Sequence, residues 1–139
     1  MLTQLAAQHA LSHAGVRLTP QRLMIIEVLV GNRTHPSIEA IFQRVRETYP
    51  TISLATVYQT LALLARHGLV LELHGGKDGV HCDPETAAHA HAYCEQCGSI
   101  TDVACPAHAQ WAAAGMDGFH PRAVEVSLYG VCASCASVK

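Results

Sequence analysis

The sequence predicts an α+β chain in two parts: helices closed by a hairpin over residues 1–83, then a small mixed α/β module over residues 84–139. Three observations predict it. Apolar residues recur at helical spacing through most of the first half. A Gly-rich turn between two short apolar runs follows them. In the second half, two Cys-x-x-Cys pairs bracket a strand-like stretch containing Tyr129-Gly130. With 139 residues and 50% hydrophobic composition, each part has at best a modest core. Modules this small usually need a metal or a second subunit to complete their stability.

The elements follow in order. Residues 1–15 contain no Lys or Arg and read as a short amphipathic helix, not as an export signal. Thr19-Pro20 is a helix start, with Thr as N-cap and Pro at the first helical position. Leu23, Ile26, Leu29 and Val30 supply its apolar stripe, which stops near Gly31-Asn32. Pro36 opens the next helix, with Ile38, Ile41, Phe42 and Val45 inward and Tyr49-Pro50 at its end. Ser53 caps a third segment, Leu54 to His67, closed by Gly68. On that segment Leu54, Val57, Leu61, Leu64 and Ala65 share one face, while Ala55, Thr56, Gln59 and Arg66 lie opposite, with Tyr58 at the boundary. Residues 69–73, the turn Gly75-Gly76-Lys77-Asp78-Gly79, and residues 80–82 then read as a β-hairpin. Three helices followed by a hairpin make a winged helix-turn-helix, whose last helix would present its polar face to a DNA major groove. A merely solvated outer face is the competing reading.

The second half reads as strands at 89–93 and 99–103, a helix from Pro106 to Gly115 around Trp111, and a strand from Ala123 to Val131. Charge separates the halves. Residues 1–80 hold seven Lys/Arg against five acids, and residues 81–139 hold two against six, within a total of −2. That asymmetry points to a basic reading module followed by an acidic one. No apolar run approaches membrane-spanning length, and a cytoplasmic location is expected.

In a reducing cytoplasm thiols favour metal binding over disulfides. Cys94, Cys97, Cys132 and Cys135 have the spacing of a closed tetrahedral Zn2+ site, each Cys-x-x-Cys turn giving two ligands. The 34 residues between the pairs mean that a whole subdomain folds inside the loop the metal closes, an expected dimerisation domain. A redox dithiol or a pair of disulfides is the alternative. Cys82 and Cys105 are left over and read as small buried hydrophobes.

A second, harder donor set lies beside the first. His89 and His91 are two apart on a predicted strand and so point to one face. Asp102 on the next strand, Asp83 after the hairpin and His35 before Pro36 complete an N3O2 set, which suits Fe2+ or Mn2+ more than structural zinc.

These residues together resemble the ferric uptake regulator (Fur) family of bacterial metal-dependent repressors, over essentially the whole chain. The markers are Gly15-Val16-Arg17-Leu18-Thr19-Pro20-Gln21-Arg22, His35-Pro36, Ser53-Leu54-Ala55-Thr56-Val57-Tyr58, His89-Ala90-His91, Cys94-Glu95-Gln96-Cys97-Gly98 and Tyr129-Gly130-Val131-Cys132. Asp102 is similar to the peroxide-sensing branch, where iron-uptake regulators usually carry Glu. The resemblance implies structural zinc on the four cysteines and a regulatory site of His35, Asp83, His89, His91 and Asp102. It also implies that His35 and His89 are the imidazoles oxidised by peroxide. Ala88, Ala90, Ala123 and Val124 stand where many relatives have further ligands, so a full third site is not expected. Cys82 beside Asp83 would shift the regulatory site toward zinc if its thiolate joined it.

On the DNA side, Tyr58 and Gln59 are expected near base edges, Ser53 and Thr56 near phosphates, and Arg17 on the backbone or in a minor groove. Gln pairs with adenine and Tyr packs on a thymine methyl, which suits an A·T-rich palindrome read by a homodimer. Tyr58 as a core-edge aromatic is the competing reading. Two other functions stay open. One is a manganese, iron or zinc uptake regulator that senses occupancy alone. The other is a small zinc-dependent enzyme, for which the sequence offers no HExxH.

Overall fold

The computed structural model describes residues 1–104, 118–120 and 124–138. They fall into two compact units, Met1–Thr86 and Ala87–Lys139. The break lies three residues beyond Asp83 because Pro84 is tied back to the first unit, its carbonyl accepting from Leu2 N–H at 2.9 Å.

The first unit runs α1 (Gln4–His13), α2 (Pro20–Leu29), α3 (Ile38–Arg46), α4 (Leu54–Arg66), β1 (Leu71–Leu73) and β2 (His81–Asp83). One device starts all four helices. Thr3, Thr19, Ser37 and Ser53 each accept the backbone N–H three residues on through the side-chain oxygen. Pro36 therefore precedes the helix it was expected to open, and Ser37 is the cap. Gly68, at φ +67°, takes the left-handed conformation that ends α4.

Leu11, Ile25, Ile26, Leu29, Ile41, Val45, Val57, Leu61 and Leu64 interlock as the core. Two details differ from the sequence expectation. On α2 the buried stripe runs through Ile25, Ile26 and Leu29, while Val30 lies past the helix end and is exposed. On α4 Leu54 is exposed and Thr60 is buried instead. Thr60 tolerates burial because its hydroxyl donates to the Thr56 carbonyl at 2.8 Å, so no polar group is stranded.

The hairpin pairs antiparallel, Leu71 opposite Asp83 and Leu73 opposite His81. A short extension joins it: Cys82 N–H donates to the Pro36 carbonyl at 2.9 Å and Ile38 N–H to Val80 at 3.1 Å. The entry to α3 is thereby pinned along β2.

In the second unit, β3 (Ala90–Cys94) is flanked by β4 (Ile100–Val103), antiparallel, and β5 (Ser127–Gly130), parallel. A short α5 (Ala133–Ala136) follows. The last strand is shorter than the expected 123–131, since residues 124–126 are not in strand conformation. The helix expected around Trp111, together with Cys105 and His108, lies outside the described residues. Tyr93 and Tyr129 face each other across β3 and β5 with ring centroids 5.2 Å apart and nearly parallel.

Ser37→Ala should cost about 1 kcal/mol by removing the α3 cap. Urea unfolding reads it as a lowered midpoint with an unchanged slope; an unchanged midpoint would show that the Ala40 N–H finds another partner.

Candidate metal centres

The four cysteines meet within the second unit. Cys94 ends β3, Cys97 closes the turn behind it, and Cys132 and Cys135 lie at the start of α5 and within it. Gly98, at φ +77°, allows that first turn to reverse, and its N–H donates to the Cys94 carbonyl at 2.9 Å. The four Sγ atoms lie within 4.8 Å of one another, and Cys97 Sγ is 3.8 Å from Cys132 Sγ. A tetrahedral Zn2+ with Zn–S of about 2.3 Å requires S···S of roughly 3.8 Å, so the set fits zinc as it stands.

The local fields differ from thiol to thiol. Backbone N–H groups of Cys97 and then Cys132 point at Cys94 Sγ and bring its pKa down to about 6. The Ser99 hydroxyl, 3.2 Å from Cys97 Sγ, lowers that thiol as well. Cys135 is pushed up to about 12, first by Cys132 beside it and then by burial. Four thiolates cannot crowd together without a cation between them. Zinc supplies that cation.

The harder donors form a group in each unit. In the first, His35 Nε2 lies 3.7 Å from Asp83 Oδ2, both nearly fully buried. In the second, His89 Nε2 and His91 Nε2 approach the same Asp102 Oδ1, at 3.3 and 3.6 Å. The register that sets His91 opposite Asp102 across β3 and β4 makes this meeting. His89 lies just before β3, where its Nδ1–H donates to the Ala87 carbonyl at 2.7 Å and aims Nε2 outward to the carboxylate. These separations are long for hydrogen bonds. The two to Asp102 match the roughly 3.0–3.6 Å expected between two ligands about 2.1 Å from a shared ion, and the His35–Asp83 separation is slightly longer. Imidazole and carboxylate donors without sulfur suit Fe2+ or Mn2+.

Cys82 does not belong to this set. Its side chain is in the hydrophobic core, on the opposite face of β2 from its neighbour Asp83. Burial first, then Glu72 and Asp83, raise its thiol to about 12. It is the inert buried hydrophobe that the sequence suggested.

Among the described residues His35 is also the one non-glycine residue with positive φ, at +50°. Such backbone costs of order 1–3 kcal/mol and clusters at functional sites. No sequence pattern signals this, nor the role of His81, whose ring meets the His35 carbonyl.

The residues expected on DNA lie at exposed or half-buried places in the first unit. Tyr58 is 51% exposed, which excludes the core-edge reading, and Gln59 is exposed beside it on α4. Ser53 and Thr56 share a hydrogen bond at 2.9 Å at the N-terminus of that helix. Arg17 is exposed in the loop before α2.

The model of the ferric uptake regulator family matches residues 13–129. The chain belongs to that family. Its relatives within the family include the peroxide operon regulator of Bacillus subtilis (strain 168), 38% identical over 94% of this chain and 91% of that protein. The peroxide-responsive repressor PerR of Staphylococcus aureus (strain USA300) is also 38% identical, over 91% of this chain and 86% of the repressor. Among solved structures, the Campylobacter jejuni peroxide stress regulator superposes with TM-score 0.71 at 28% identity, covering 97% of this chain and 99% of its own. The Helicobacter pylori ferric uptake regulator Fur shares the fold at TM-score 0.83 and 22% identity, covering 99% of this chain and 96% of its own.

Zinc must displace the Cys135 proton at any pH below about 12, whereas Cys94 is already ionised above about pH 6. Apparent zinc affinity should therefore fall by at least about tenfold per unit as pH drops from 8 to 7. Competition with a chelator, followed by the near-UV signal of the tyrosines, measures it; a flat profile contradicts the assignment.

Proposed function

We propose that the chain is a metal-dependent DNA-binding repressor that responds to peroxide. The observation that carries this reading is the identity of the buried polar groups. Among the described residues these are Thr60, which is satisfied locally, and His35, Asp83 and His91. Burying such donors costs several kcal/mol unless a charge or an ion compensates them. Two relatives whose names describe peroxide regulation, each at 38% identity, support the same branch.

In this proposal His35 and Asp83 of the first unit and His89, His91 and Asp102 of the second serve one regulatory Fe2+ or Mn2+. Ligands drawn from both units make coordination favourable only in one relative orientation, and so select it. About 5.5 kcal/mol of differential binding moves such an equilibrium from 1:99 to 99:1. In a homodimer that orientation sets the spacing of the two α4 helices to a palindromic operator. Tyr58 and Gln59 then face base edges of an A·T-rich site, Ser53 and Thr56 face phosphates, and Arg17 adds a backbone or minor-groove contact. Among the described residues no helix is long and apolar enough to cross a membrane, in keeping with a DNA partner in the cytoplasm.

When bound, Fe2+ supplies redox chemistry with H2O2 that Mn2+ in the same donors does not. His35 and His89 would be the imidazoles exposed to that chemistry. One of them would gain an oxygen atom at a ring carbon, one H2O2 giving the atom and leaving as water. An oxidised ring is a poorer ligand, so the hold on the two units weakens and the operator is released. The cysteines take no part.

Zinc-loaded protein carrying Fe2+, treated briefly with stoichiometric H2O2, should gain 16 Da (about one oxygen atom) on peptides containing His35 or His89. The Mn2+-loaded control should not. Peptide mass spectrometry decides it: unmodified histidines in fully iron-loaded protein would redirect the reading to a regulator that senses metal occupancy alone.

A further inference from the structure

His81 lies between a metal-ligand backbone and the hairpin turn, and no step of the proposed mechanism uses it. Its Nδ1 is 2.6 Å from the carbonyl oxygen of His35. A carbonyl only accepts, so the ring proton of that bond is on Nδ1. The bond bridges 46 positions of sequence and lands on the residue whose φ is +50°. On the far side of the ring is the β1–β2 turn. A Cβ added at Gly76 would sit 2.5 Å from His81 Cδ2 and 2.7 Å from Nε2, so the turn closes on the imidazole with no space for a methyl group. Nε2 is buried there and has no hydrogen-bond partner among the described residues. A buried ring nitrogen without a partner is a cost, and it is held in place by what the other nitrogen does.

We infer that His81 is a positioning residue for the regulatory site: braced by the turn at Gly76, it holds the His35 peptide in the left-handed conformation that aims His35 Nε2 at Asp83. The geometry is self-consistent. Rotating the His35 peptide to an ordinary conformation turns its carbonyl away from His81 and swings the imidazole from the Asp83 carboxylate. Pairing of Pro36 and Ile38 with β2 fixes the chain just after His35, so the carbonyl at His35 is the remaining point where its orientation is set. Outer partners of this kind orient metal-binding histidines, and losing one typically lowers metal affinity 10–100-fold.

This inference rests on reading His35 as a regulatory metal ligand, and the test separates the two. Mn2+ is titrated into zinc-loaded protein and free Mn2+ is read by its electron paramagnetic resonance signal, with unfolding midpoints recorded in parallel. His35→Ala should abolish tight Mn2+ binding. His81→Leu should weaken it 10–100-fold, and His81→Asn should restore most of the loss, because the Asn amide nitrogen stands as many bonds from the backbone as Nδ1. Gly76→Ala, which keeps His81 but displaces its ring, should also weaken binding while the zinc content stays constant. Should His81→Leu fail to fold, Gly76→Ala and His81→Asn decide the matter. Wild-type Mn2+ affinity in His81→Leu or in Gly76→Ala, with His35→Ala still defective, overturns the positioning role and leaves the ligand assignment intact. Wild-type affinity in His35→Ala removes both.

Discussion

The backbone pairing of Pro36 and Ile38 with β2 is the constraint on which the candidate regulatory site depends. It consists of two hydrogen bonds, from Cys82 N–H to the Pro36 carbonyl and from Ile38 N–H to the Val80 carbonyl. They bring the loop before α3 alongside the end of the hairpin, and so place His35 against Asp83 although the two are far apart in sequence. Ser37 caps α3 from within the same segment, so α3 and His35 share a foundation. A displacement of His35 is therefore transmitted to the start of α3. That physical link joins ligand binding in this unit to the elements expected to meet DNA.

The second unit is organised differently. Among its described residues the three-stranded sheet has few fully buried side chains, and a metal held by the four cysteines would add stability there. They join the end of β3 to α5, and β3 also carries His91 in register with Asp102. The thiolate cluster thus holds the strand that carries His91. Thiolate sulfur suits zinc, whereas imidazole and carboxylate donors suit Fe2+ or Mn2+, so the two donor sets differ in the metal they favour.

Much of this was legible in the sequence for reasons that can be named. Thr19-Pro20 and Ser53 announce helix starts because a side-chain oxygen three residues before an amide is a local device that needs no tertiary context. The Cys-x-x-Cys pairs were legible because turn geometry fixes where their side chains point; His89 and His91 do meet at Asp102, although His89 lies just before the strand expected to carry both. His35 and Asp83, expected together from donor chemistry and resemblance, do meet although they are distant in sequence. What escaped notice was what depends on the assembled fold. Thr60 replaced Leu54 on the inner face of α4 because a local hydrogen bond removed its cost of burial. Val30 fell outside because α2 ends one residue earlier. Positive φ at His35 and the wedge of His81 beneath Gly76 arise only when the hairpin closes over the loop, and no periodicity encodes them.

The central claim is that the regulatory metal, through His35, controls DNA binding while structural zinc stays in place. Fluorescence anisotropy of a labelled A·T-rich palindromic duplex, titrated with zinc-loaded protein with and without Mn2+, tests it most directly. The account predicts at least about tenfold tighter binding with Mn2+ for the wild-type chain, equivalent to about 1.4 kcal/mol, and no gain for His35→Ala. Equal affinity with and without Mn2+ in the wild-type chain would contradict it.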